Sequence, residues 1–153
     1  MVSKPNSSTV VSPIDFHNMF NLYSIAWTLE SLALRQSFEH ITTAKIAVMA
    51  EANERLLQAL QAGDPYKAVK ADNDFHAVYI ELSHNDELCQ ILTGIKQKLK
   101  RLELYYFGKA KDIFRSFDEH LSIIDALRKK DLSLALQAVE ANWQASFKRI
   151  EDK

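Results

Sequence analysis

Three glycines and three prolines punctuate a chain of 153 residues. Sheets turn back every few residues and draw on glycine, proline and similar residues at each turn. So few punctuators favour long helices joined by few, short connections. Hydrophobic and charged fractions of 47% and 25% are those of an ordinary globular protein. The length suits one domain able to bury a real core.

Helix signals divide the chain into about six segments. Residues 1–12, rich in Ser, Thr and Val, lack a helical period and read as a tail or linker, leaving 13–153 as one helical domain. Ser12 as cap, Pro13 at the first helical position and Asp15 in the first turn predict the start of the first helix. Its apolar residues run from Phe16 through Phe20, Tyr23, Trp27, Leu32 and Leu34 to about Phe38. Glu30 falls among them and reads as a solvated or paired charge. Thr42 or Thr43 caps a second helix that Gly63 ends. Asp64-Pro65 opens a third, whose inner face includes Val69, Asp72, Phe75, His76, Val78, Tyr79 and Leu82. Asn85 caps a fourth, which Gly108 weakens or ends. Ser116 and Glu119 stand at capping-box spacing for a fifth. Asp131 caps the sixth, whose charged last residues read as frayed. The expected fold is an all-α antiparallel bundle.

Bulk properties exclude several function classes. A net charge of -1 leaves no electrostatic footprint for nucleic acid. The single cysteine, Cys89, forbids an internal disulfide and suits a reducing compartment. No apolar run reaches membrane-spanning length and the N-terminus lacks a signal-peptide core, so a cytoplasmic protein without membrane contact is expected. There is no Gly-rich phosphate loop and no nucleophile elbow. Ser122, His120 and Asp118 are too close on one helix to converge as a hydrolase triad.

The chemistry-bearing candidates are Asp72, His76, His120 and Asn142. Asp72 and His76, four apart on a helix, leave the same face one turn apart, where a carboxylate and an imidazole together grip a divalent ion or a polar ligand. A mixed N/O set with paired imidazoles suits zinc, nickel or another first-row divalent metal, held by side chains projecting inward from facing helices. The same spacing is common on ordinary helices, so spacing alone favours hydrogen-bonded core histidines and a surface Asp72. Trp27, Phe75, Tyr105 and Trp143 read as core before cavity lining. Lys96, Lys98, Lys100 and Arg101 form a run that reads as a solvated face, with Arg101 or a neighbour as the candidate inward clamp for a ligand carboxylate.

Leu22-Tyr23, Leu29-Glu30, Asp72-x-x-Phe75-His76, Ser83-x-Asn85-x-x-Leu88, Glu119-His120-x-x-Ile123-x-x-Ala126-Leu127 and Asp131-x-x-x-Ala135 follow one another in that order. Together, over about residues 18–150, they resemble the FCD domain, the effector-binding C-terminal domain of FadR-subfamily GntR transcriptional regulators. The resemblance implies an all-helical bundle that is not an enzyme, and a homodimer. It implies a divalent metal held by one Asp and three His, with a small carboxylate effector beside it. The Asp falls on Asp72, two of the histidines on His76 and His120, and the last histidine position on Asn142, a poorer ligand. An arginine that often stands four residues before the helix-1 glutamate is Ala26 here. The winged-helix domain that binds DNA in such regulators is absent from this sequence, so no operator binding by this chain alone is expected. Two further readings follow from these departures. One is a metal-free sensor with a larger, more apolar ligand. The other is a truncated interaction subunit that pairs with full-length regulators. A metal-dependent hydrolase is the most distant reading.

Overall fold

Local capping chemistry delimits the helices. The computed structural model describes residues 15–109 and 112–151. Helix α1, Phe16–Ser37, begins at Asp15, whose extended backbone (φ -91°, ψ 94°) and carboxylate accept the Asn18 amide as an N-cap. Asp15 therefore precedes the helix instead of occupying its first turn. The roles expected of Ser12 and Pro13, and the tail expected over 1–12, lie outside the described residues. A 3-10 turn, Phe38–His40, leads to α2, Thr43–Ala62, capped by Thr42. Helix α3, Pro65–Leu82, has Asp64 as cap and Pro65 at its first position. Helix α4, Asp86–Lys109, starts where Asn85 Oδ1 accepts the Leu88 amide at 3.1 Å, and it runs through Gly108. Helix α6, Leu132–Glu151, starts where Asp131 Oδ1 accepts the Leu134 amide.

Helix α5, Arg115–Arg128, departs from expectation. Its N-cap is Phe114, with no side-chain cap. Ser116 lies inside the helix, buried, with its hydroxyl 2.9 Å from that of Tyr106. Glu119 holds Arg149 instead of reaching back to a cap. The capping box is not formed because tertiary partners on α4 and α6 take both of its side chains.

These six helices make an all-α bundle. Helix α3 packs on α1, α2 and α4; α6 packs on α1 and α5, and α2 also meets α5. Among the described residues no helix is long and apolar enough to cross a membrane. The inward line of α1 is Tyr23, Ala26, Glu30, Ala33, Leu34 and Ser37, all buried. Phe20 and Leu32, counted with the apolar stripe in the sequence, are 45% and 39% exposed. The helical period explains the exchange: Glu30 is in phase with Tyr23 and Ala26, and Leu32 is not.

Two helix ends share one backbone device. Gly63 (φ 68°) and Lys130 (φ 55°) are both left-handed. In each case the following amide reaches back to the last turn, Asp64 N to Ala59 O and Asp131 N to Ala126 O. Glycine meets this demand without strain, whereas a side chain there costs roughly 1 kcal/mol. A Cβ at Gly63 would meet nothing within 4 Å, so the backbone alone decides. Gly63→Ala is expected to destabilise by about 1 kcal/mol and Lys130→Gly to stabilise by up to about that much. Thermal unfolding should show opposite Tm shifts of about 2–4 °C.

Candidate metal centre

Helix α3 brings Asp72 and His76 to one face, and α5 brings His120 against them. One ligand atom from each lies within 4.8 Å of the other two. His120 Nε2 is 3.1 Å and His76 Nε2 3.8 Å from Asp72 Oδ1. Both imidazoles are buried, His120 completely. The ring centroids stand 5.1 Å apart and nearly perpendicular. Two imidazoles sharing one tetrahedral ion through bonds of ~2.0–2.1 Å have centroids about 5 Å apart.

The far nitrogen of each ring is already committed. His76 Nδ1 donates to Glu30 Oε1 at 2.8 Å. His120 Nδ1 donates to Asn53 Oδ1 at 2.9 Å, and the Asn53 amide in turn donates to the Phe117 carbonyl. Phe75 stacks on His120 with centroids 3.9 Å apart and rings parallel, which fixes the plane of the imidazole. These contacts place both Nε2 lone pairs toward Asp72. Ligating histidines are oriented by this kind of outer partner. Burial holds the His120 imidazole below its ordinary pKa, against the opposing pull of Asp72. Its Nε2 has no hydrogen-bond partner among the described residues, despite standing 3.1 Å from a carboxylate oxygen. Two imidazole nitrogens and a carboxylate oxygen converge there, a donor set that fits a divalent cation as well as a shared proton.

Glu30 anchors the other side. Besides His76, its Oε1 accepts from the Tyr79 hydroxyl and from Trp143 Nε1 at 3.0 Å, while Lys96 Nζ stands 3.0 Å from Oε2. Burial raises the Glu30 carboxyl, but His76 and Lys96 outweigh it and hold the group well below the usual carboxylate range. Asp72 is likewise lowered, because His120 and His76 overcome its burial. Burial lowers Lys96, and Glu30 and Glu103 more than restore it. Glu103 behaves oppositely: burial, reinforced by Asp72, pushes its carboxyl up to about 8.

The expected site residues divide. Asp72, His76 and His120 converge. Asn142 is buried on α6, its amide donating to Glu119 Oε1 at 2.8 Å. Arg101 lies on the exposed face of α4, and the cation of that run which turns inward is Lys96. The buried line of α4 passes through Leu92, Ile95, Leu99 and Leu102, which brings position 96 to its edge. The second inward cation is Arg149, in the segment expected to fray. It donates twice to Glu119 and, through Nε, to the Tyr106 hydroxyl at 2.7 Å. Sequence reading passed over Glu30, Asn53 and Arg149 as site members, and had Lys96 only as a neighbour of Arg101 in the basic run. For Glu30 and Asn53 the available signal was a polar residue in phase with a buried stripe.

The FCD domain family matches residues 21–145. The HTH-type transcriptional repressor NanR of Klebsiella aerogenes is 26% identical over 94% of this chain and 62% of its own length. NanR of Salmonella newport is 26% identical over 98% of the chain and 64% of its length. The chain thus spans less than two thirds of these curated relatives. A solved structure, E. coli McbR/YncC, shares the fold with a TM-score of 0.83 at 17% identity, covering 94% of this chain and 68% of that one.

Glu103 makes the stability of the fold sensitive to pH. Between its unfolded value, about 4.5, and its folded value, about 8, the folded chain keeps a proton that the unfolded chain releases. Stability must therefore fall as pH rises through that window. Thermal unfolding of metal-free protein should show the Tm of the wild type falling relative to that of Glu103→Gln, which stays neutral throughout, from about pH 5 to about 8.

Proposed function

Since this chain belongs to the FCD domain family, a ligand-sensing family of GntR-type transcriptional regulators, we propose that it senses a small organic acid at a divalent-metal centre and is not an enzyme. Asp72, His76 and His120 hold the ion, zinc or nickel, and Asn142 is a weak or outer partner whose amide is already engaged by Glu119. The observation that carries this reading is the convergence of two buried Nε2 atoms on one carboxylate oxygen, each imidazole tied off at Nδ1.

Charge favours an anionic effector beside the ion. Asp72 and Glu30 outnumber Lys96 in the centre, so the protein alone repels a carboxylate. A bound divalent ion supplies the positive charge that reverses this balance and accepts a carboxylate oxygen. Lys96 adds a fixed cation on the α4 side. Glu30 keeps His76 in the ligating tautomer, and Asn53 does the same for His120. Ligand bound between α1, α3, α4, α5 and α6 favours one arrangement of those helices over another, and in a homodimer this would be felt at the partner. DNA binding, as named for the HTH-type relatives, would be the output controlled by that shift.

Elemental analysis of protein purified without a nickel column, wild type beside His120→Ala, tests the reading. Near-stoichiometric metal in the wild type and loss in the variant are expected. A wild type that stays metal-free after zinc and nickel are supplied would refute it and return the site to a metal-free sensor. Glu30→Gln, which leaves all three ligands in place, should lower metal affinity about 10–100-fold in a competition titration.

A further inference from the structure

At one end of the bundle the joint between α1 and α2 meets the joint between α3 and α4. His40 closes the 3-10 turn after α1, and His84 leads from α3 toward α4 with a left-handed backbone (φ 53°). Their imidazole centroids stand 5.9 Å apart, edge to face. Both residues are exposed, and neither ring has a hydrogen-bond partner among the described residues.

The two joints are pinned to each other. Gln36 Oε1 accepts from Asn85 Nδ2 across them at 3.0 Å. Asn85 also caps α4 and Thr42 caps α2, while the Ile41 and His84 amides close their turns on the Phe38 and Glu81 carbonyls. Backbone on both sides is therefore set, and side-chain rotation is the freedom that remains. Charge around the pair has one sign. Glu39, Glu81, Asp86 and Glu87, all exposed, lie within three residues of one histidine or the other, and no lysine or arginine does. Lys45 and Arg55 line the groove beside His84, but Arg55 is paired with Asp74, so the balance stays negative.

We propose that His40 and His84 form a second divalent-cation site, on the surface, for a first-row ion that takes imidazole ligands, copper(II) before nickel or zinc. Imidazole nitrogens suit these ions, and copper(II) binds such donors most tightly among them. Calcium and magnesium call for oxygen ligands and are poorly served here. Imidazoles bound to one ion through bonds of ~2.0–2.1 Å have centroids about 5 Å apart at a tetrahedral angle, and farther apart as the angle opens. The observed pair lies within that reach. Flanking carboxylates raise the local concentration of cations, and water fills the open positions. A cation held there ties the α1–α2 joint to the α3–α4 joint. The site is separate from Asp72, His76 and His120 and does not rest on the reading of that centre.

Titration of copper(II) into the whole chain, followed through the ring signals of its five histidines by NMR, tests the proposal. Copper broadens the signals of the rings it binds. His17, exposed near the start of α1, reports the behaviour of a lone imidazole. His40 and His84 are expected to broaden together, at a copper concentration at least about tenfold below that for His17, because two linked ligands hold an ion more tightly than one. His40→Ala should move the His84 midpoint up to that of His17. His84→Asn, which tolerates the left-handed backbone, should do the same to His40. The separate signals of His76 and His120 report the buried centre, so an outcome there leaves this assignment untouched. Rings at 40 and 84 that broaden no earlier than His17, or a ring that keeps its midpoint when its partner is replaced, overturn the proposal and reduce the pair to an edge-to-face contact.

Discussion

A carboxylate buried at the centre of an apolar bundle must be paired, and the arrangement of this protein follows from how Glu30 is paired. Removing an ionised carboxyl from water costs several kcal/mol even after the protein relaxes. Four groups offset that cost: His76 and Tyr79 from α3, Lys96 from α4 and Trp143 from α6. Glu30 itself comes from α1, so one side chain ties four helices to a single point. The same contacts aim His76 Nε2 at Asp72. The centre is thus a by-product of satisfying one charge, and its geometry is as rigid as the packing around that charge.

A second polar network closes the opposite side. Glu119, next to His120 in the chain, binds Arg149 through two hydrogen bonds and also accepts from Asn142. Arg149 continues to Tyr106, and Tyr106 to Ser116. Two-pronged arginine–carboxylate pairs are geometrically demanding, so this one fixes the end of α6 against α4 and α5. Asn142 stands where the family resemblance places a histidine, and its carboxamide extends this network. It thereby helps to hold α6 against α5 beside Asp72, His76 and His120. The first network sets the tautomer of one histidine and the second holds α6 and α5 together around the other.

Between the two networks, Asp72 stands 3.1 Å from His120 Nε2 and 3.8 Å from His76 Nε2. Elsewhere this core is tight and apolar, with Phe75, Tyr79, Leu34, Met49 and Leu56 fully enclosed. Glu30 joins α1, α3, α4 and α6, and Glu119 joins α5 to α6.

The sequence by itself determined the helices and most of their ends. Thr42, Gly63, Asp64, Asn85 and Asp131 act where local backbone chemistry predicts, because a cap or a left-handed residue solves a problem within a few residues of itself. It also determined which three side chains could share an ion, since Asp72 and His76 are one turn apart and the ordered motifs bring in His120. Tertiary structure alone decided the partners. Glu30 looked like a charge in a stripe, Lys96 like part of a solvated run, Ser116 and Glu119 like a capping box, and Arg149 like a frayed end. Each was reassigned by a group on another helix, at separations in the chain that no local pattern spans. A pairing between helices depends on how their faces dock, and docking is set by the whole core at once. Local sequence therefore fixes where a polar side chain can point, and the folded bundle fixes what it meets.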